Sequence, residues 1–303
     1  MMEIQPEYIT AKNDESLRTL ARAISLSQGE FSLIFARCNY TNLRQSLMEK
    51  LRERSVKFRE RVIEPSAKSL FATIQEELRD EPPLVVIISG LELVHDLDTV
   101  LISTNQLREE FRKNFLFPVV LWVTDEVLQK LIRVAPDFES WASAPIEFEM
   151  PTNGLIEFLR QNIDALFTGD VITNLETCDE IEAAFQDLQI RGQQLEPEVE
   201  AGLELCRGLD DYANNQVEAA IEHYQKSLRY WQQRKDLERQ GRLLLNIALC
   251  YYSKAEENQR YWEDIRYYLQ QCLDVFEQAE RPDLVARHIS KLGDVLRQLS
   301  SWD

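Results

Sequence analysis

Four residues come first because their types and spacing could handle an anion. Arg37, Asn39 and Arg44 follow an apolar run, FSLIFARC over Phe31–Cys38, and Glu92 follows another, LVVIISG over Leu84–Gly90. Arginines beside the N-terminus of the next helix could attract a phosphate, and Glu92 could sit near a metal. The alternative is a purely structural turn with solvated arginines and a surface carboxylate. A phosphate-cradling loop uses glycines so that successive backbone N–H groups face the anion, then a lysine and a Ser/Thr for magnesium. The turn Arg37-Cys38-Asn39-Tyr40-Thr41-Asn42 has neither glycine nor lysine, and no GxGxxG or GxxxxGK[ST] occurs anywhere in the chain. Asp96 and Asp98 lie further along, and Asp125 reads as a helix cap.

Other chemistries have less support. His95, His223 and His288 show no metal-ligand spacing to each other or to cysteine, so no metal site is expected. Ser89-Gly90 lacks the GxSxG context of a hydrolase nucleophile. Cys38, Cys178, Cys206, Cys250 and Cys272 form no CxxC pair, and their number is odd. That fits packed thiols in a reducing cytoplasm rather than a disulfide framework. No catalytic residue and no cofactor is expected.

The elements that must position these residues alternate in the first half. Val119–Thr124 follows Pro118, and Ile146–Glu149 lies between Pro145 and Pro151. With the two runs above they read as strands buried on both faces, as in a parallel sheet covered by helices. Val56–Ile63 is a weaker fifth strand. Asp14–Leu26, Thr41–Arg54, Ser66–Leu78, Thr99–Lys113 and Asp125–Val134 carry apolar residues at helical spacing. Strand–helix alternation predicts a three-layer α/β domain over residues 1–155, in which ligands bind beyond the carboxyl ends of the strands.

Three pieces of Thr104–Trp141 carry a resemblance: Asn105-x-x-Arg108, Phe117-Pro118-x-x-Leu121-Trp122 and Ala135-Pro136-Asp137-Phe138-x-x-Trp141. Together with Phe31–Leu47 they resemble bacterial, notably cyanobacterial, tetratricopeptide-repeat proteins whose N-terminal domain is similar to a STAND-type P-loop ATPase. The resemblance covers about residues 16–150. It implies a RecA-like core. The ATPase residues cannot be carried over, because the Walker A positions are absent here, so a degenerate, non-hydrolysing domain is expected.

Beyond Pro151 the strand signal vanishes. Residues 156–196 read as a helical connector, with breaks near Thr168-Gly169-Asp170 and Arg191-Gly192-Gln193. Residues 197–303 resemble about two and a half tetratricopeptide repeats, an all-α solenoid. Gly208, Ala220, Tyr224 and Ser227 follow the repeat's small–small–aromatic–small pattern. Ala248, Ile265, Leu269 and Cys272 follow it with about five extra residues within Lys254–Asp264. The concave surface would then display Leu205, Leu209, Tyr212, Leu245, Leu249, Tyr252, Ser290, Asp294 and Arg297. The basic groups of a peptide-carboxylate clamp are missing, and only Asn246 stands at a clamp position. These leucines either meet a partner or pack the superhelix. Tyr261, Trp262, Tyr267 and Tyr268 form an aromatic cluster that is either an interface or internal packing.

Charge completes the expectation. The chain has 303 residues with 34 Lys+Arg and 52 Asp+Glu, a net −18. Residues 1–165 hold 19 basic and 26 acidic residues, net −7; residues 166–303 hold 15 and 26, net −11. With no basic half, nucleic acid and anionic membranes are not expected as partners. The N-terminus shows no signal peptide, and no apolar stretch is long enough to span a bilayer. The expected function is a cytoplasmic, non-enzymatic interaction or signalling scaffold. Its partner would be a protein with a basic or amphipathic segment, or a second copy of the chain. The alternative is an atypical nucleotide-binding switch with weak or no NTPase activity.

Overall fold

In the computed structural model the described residues are 10–78, 83–168, 175–257 and 259–281. The chain divides into two compact units, Met1–Gly154 and Leu155–Asp303.

The first unit is built on five strands: β1 (Ser32–Arg37), β2 (Arg59–Val62), β3 (Val86–Ser89), β4 (Pro118–Val123) and β5 (Ile146–Glu147). Every pairing is parallel, and the order is β2-β3-β4-β1-β5. All of β3 and β4 and the middle of β1 are buried, which is why these strands read as unbroken apolar runs. Alternate side chains face opposite layers. Leu33, Phe35, Val86, Ile88, Val119 and Leu121 join one core with α3 (Leu70–Glu76), α4 (Leu97–Gln106), α5 (Arg108–Asn114), α6 (Asp125–Val134) and α7 (Pro136–Glu139). On the other face Trp122 directs its Nε1 at Met48 Sδ of α2 (Thr41–Glu53), 3.2 Å away, and packs against Phe148. The helix α1 (Ala11–Leu26) is fastened to the end of the sheet by Asn13, whose side chain exchanges two hydrogen bonds with the Glu149 backbone. The result is a three-layer parallel α/β unit.

Local chemistry shifts several boundaries. The predicted helix 66–78 starts only at Leu70, because Ser69 caps it through Ala72 N–H. The predicted helix 99–113 breaks at Leu107. There Arg108 donates to the Asn105 carbonyl at 2.9 Å, while Asn105 Oδ1 accepts from Phe138 N–H at 2.9 Å. The Asn105-x-x-Arg108 and Pro136-Asp137-Phe138 pieces therefore form a structural clasp that holds α7 against α4.

The described part of the second unit is helical: α8 (Thr152–Thr168), α9 (Leu175–Ile190), α10 (Pro197–Ala213), α11 (Val217–Arg234), α12 (Leu237–Glu257) and α13 (Trp262–Gln278). Consecutive helices from α10 to α13 pack along one another. Small residues permit this. A Cβ on Gly208 would fall 2.5 Å from the Tyr224 ring, and one on Gly241 would fall 2.3 Å from the Phe276 ring.

The packing repeats along the chain. Ser227 Oγ donates to the Ala201 carbonyl 26 residues back, and Cys272 Sγ points at the Gly241 carbonyl 31 residues back, so the second span is five residues longer. The helices α9, α10, α11 and α13 share one left-handed C-terminal cap. In each, the positive-φ residue, Gly192, Asn215, Lys235 or Glu280, precedes an N–H that returns to the carbonyl of Leu188, Asp211, Trp231 or Phe276. No described helix is long and apolar enough to cross a membrane.

Candidate functional site

In the first unit β1 lies between β4 and β5. The chain leaves β1 for the far edge, β2, whereas it leaves β4 in the opposite direction, for β5. The strand order thus reverses between β1 and β4, the position at which open α/β sheets bind ligands. The β1–α2 link is three residues, Cys38-Asn39-Tyr40. None of the three has positive φ, so the link forms no alternating nest of N–H groups for an anion.

The four predicted residues gather at this end of the sheet, in two salt-bridged groups. Arg37 spreads its guanidinium over two carboxylates. Nε and Nη2 engage Asp125, and Nη1 reaches Glu147 Oε1 at 2.9 Å. Asn39 and Asp125 bind reciprocally: Asn39 Nδ2 donates to Oδ2 at 2.9 Å, and Asp125 N–H donates to Asn39 Oδ1 at 2.9 Å. In the second group Arg44 Nη2 donates to Glu92 Oε1 at 2.7 Å and to Thr41 Oγ1 at 3.0 Å. Its side chains are 11% and 20% exposed, and Arg44 Nη1 and Glu92 Oε2 are buried without a hydrogen-bond partner. Glu92 is placed by a 3-10 turn, Leu91–Leu93, entered through Gly90 at φ +86°. A Cβ at Gly90 would approach Val62 Cγ1 at 3.0 Å.

Sequence reasoning missed Asp125 and Glu147 as members of this cluster. The cap of α6 is Thr124, whose Oγ1 accepts from Val127 N–H, and this leaves the Asp125 carboxylate for Arg37 and Asn39. The signal was present: Thr124 stands directly before Asp125 and caps helices equally well. A guanidinium already matched by two carboxylates presents little net positive field to a phosphate. Among the described residues no group of three or more His, Cys, Asp or Glu side chains is placed to hold a metal.

In the second unit Leu205, Leu209 and Leu245 are buried, and this corrects the apolar groove. Helices α10 and α12 use these leucines for packing, so they do not line an open surface. Tyr212, Leu249 and Tyr252 are half-buried, and the Tyr212 hydroxyl lies 3.1 Å from Ser253 Oγ, joining α10 to α12. Asn246 is 3% exposed. Ser290, Asp294 and Arg297 lie outside the described residues.

The aromatic cluster is organised into a chain of rings. Tyr267 meets Tyr268 at 5.1 Å, Tyr268 stacks on Tyr251 at 5.4 Å and 13°, and Tyr251 meets Tyr261 at 6.0 Å. Lys254 and Arg260 lie over the Tyr261 ring at 4.6 and 4.7 Å. The hydrogen bond and charge of Arg260, with Lys254, hold the Tyr261 phenol below its ordinary pKa. Burial raises that of Tyr251. Trp262 packs instead on Tyr252, at 6.2 Å. A further polar network joins α9, α10 and α11. Glu204 accepts from His223 at 2.8 Å and from Arg207 at 3.1 Å, and Arg207 also pairs with Glu182.

No family model matches this chain, and no curated protein matches it. Among solved structures, it is similar to a DNA replication initiation factor, with 12% identity, 89% of this chain and 97% of that chain covered, and a TM-score of 0.37. It is also similar to the Aeropyrum pernix Orc1 protein in complex with DNA, with 12% identity, coverage of 91% and 86%, and a TM-score of 0.35. A third is the replication initiator DnaA bound to AMPPCP and single-stranded DNA, with 12% identity, coverage of 90% and 99%, and a TM-score of 0.32. Two of these similar structures are DNA complexes, and the exclusion of nucleic acid drawn from net charge is withdrawn. The physical reason is that a chain-wide charge sum does not describe any local surface.

Proposed function

We propose that the protein is a non-catalytic interaction scaffold: a degenerate, RecA-like α/β unit of the STAND type, with tetratricopeptide-like helices that capture a protein segment. The observation that carries this reading is the clasp at the sheet's carboxyl ends. Arg37 is matched internally by Asp125 and Glu147, and Arg44 by Glu92. The side chains best suited to a phosphate are thus committed to the fold. The repeat reading is supported by the Gly208–Tyr224 and Gly241–Phe276 approaches and by the recurring Ser227–Ala201 and Cys272–Gly241 contacts. Five buried cysteines held as thiols go with a reducing, cytoplasmic setting.

Calorimetric titration of the whole chain with ATP and magnesium tests the first half of this proposal. The expected result is no binding heat and no change in Tm. Micromolar binding that Arg37→Ala abolishes would overturn it.

A second reading, an atypical nucleotide-binding switch, is favoured by the position of the clasp at the strand-order reversal. In that reading a phosphate displaces the Asp125 carboxylate from Arg37. Asp125→Asn would then raise nucleotide affinity, whereas the scaffold reading expects no binding by either protein.

A further inference from the structure

We draw no further inference here: the strongest candidate, the buried Arg44–Glu92 ion pair beside the strand-order reversal of the first unit, whose Arg44 Nη1 and Glu92 Oε2 have no hydrogen-bond partner, belongs to the site already described.

Discussion

Arg44 and Glu92 form the pair whose energetics bear most on the first unit. Burying two charges costs several kcal/mol, which their attraction offsets only while both are present. Arg44→Met is therefore expected to destabilise the protein by about 3 kcal/mol, because it strands Glu92. The double variant Arg44→Met/Glu92→Leu should recover most of that loss. Urea unfolding of the single and double variants checks this, and a single-variant loss below about 1 kcal/mol would mean the pair is solvated. In the second unit burial alone would raise the Glu204 pKa, but the hydrogen bond and charge of His223, with Lys226 and Arg207, hold it below the usual carboxylate value. A folded pKa below the unfolded one stabilises above the unfolded value, and that stability is lost as pH falls through the folded value. Glu204→Gln should thus destabilise the protein by about 1 kcal/mol at pH 6, the scale of a charge-assisted hydrogen bond weakened by solvent screening. The difference should fade below roughly pH 4, measured by thermal unfolding across pH. At this scale the sequence pointed to Arg37, Asn39, Arg44 and Glu92 by type, but it could not show that their partners were carboxylates of the same chain.

At the scale of elements, the close helix approaches invite substitution. Gly208→Ala would gain about 1 kcal/mol of helix propensity. The new Cβ would meet the Tyr224 ring at 2.5 Å, and overpacking of this kind costs about 1–3 kcal/mol. Overpacking is expected to win, so Tm falls for Gly208→Ala and likewise for Gly241→Ala. A rise in Tm would mean that α10 and α11 are less tightly apposed. Leu209→Asp buries a charge inside the helical unit and is expected to unfold it. The small residues at Gly208, Ala220 and Ser227 were legible because close helix crossings restrict side-chain size. The burial of Leu205 and Leu245 was not, because helical periodicity marks an apolar face without saying whether another helix covers it.

For the whole molecule, thiol chemistry gives a global measure of packing. All five cysteines are buried. Burial pushes the Cys250 and Cys272 thiols up to about 12. The native protein should therefore show almost no fast reaction with Ellman's reagent at pH 8, and all five thiols should react once guanidinium unfolds it. A rapidly reacting native thiol would reveal local opening around it. The net charge of −18 keeps its meaning for solubility and encounter. It does not locate a binding surface, and the exclusion of nucleic acid built on it did not stand.

The sequence by itself determined the parallel α/β core of the first unit, the helical second unit and the glycine-free turn after β1. Those follow from local rules: strands buried on both faces must be continuously apolar, helices must place apolar residues every three or four positions, and a nest needs residues of positive φ. Only the tertiary structure decided what the charged and aromatic residues do. Arg37 meets Asp125 and Glu147 across 88 and 110 residues of chain, and four tyrosines from α12, α13 and the turn between them line up ring to ring. Such pairings depend on where the backbone brings distant segments together, and no local spacing encodes that.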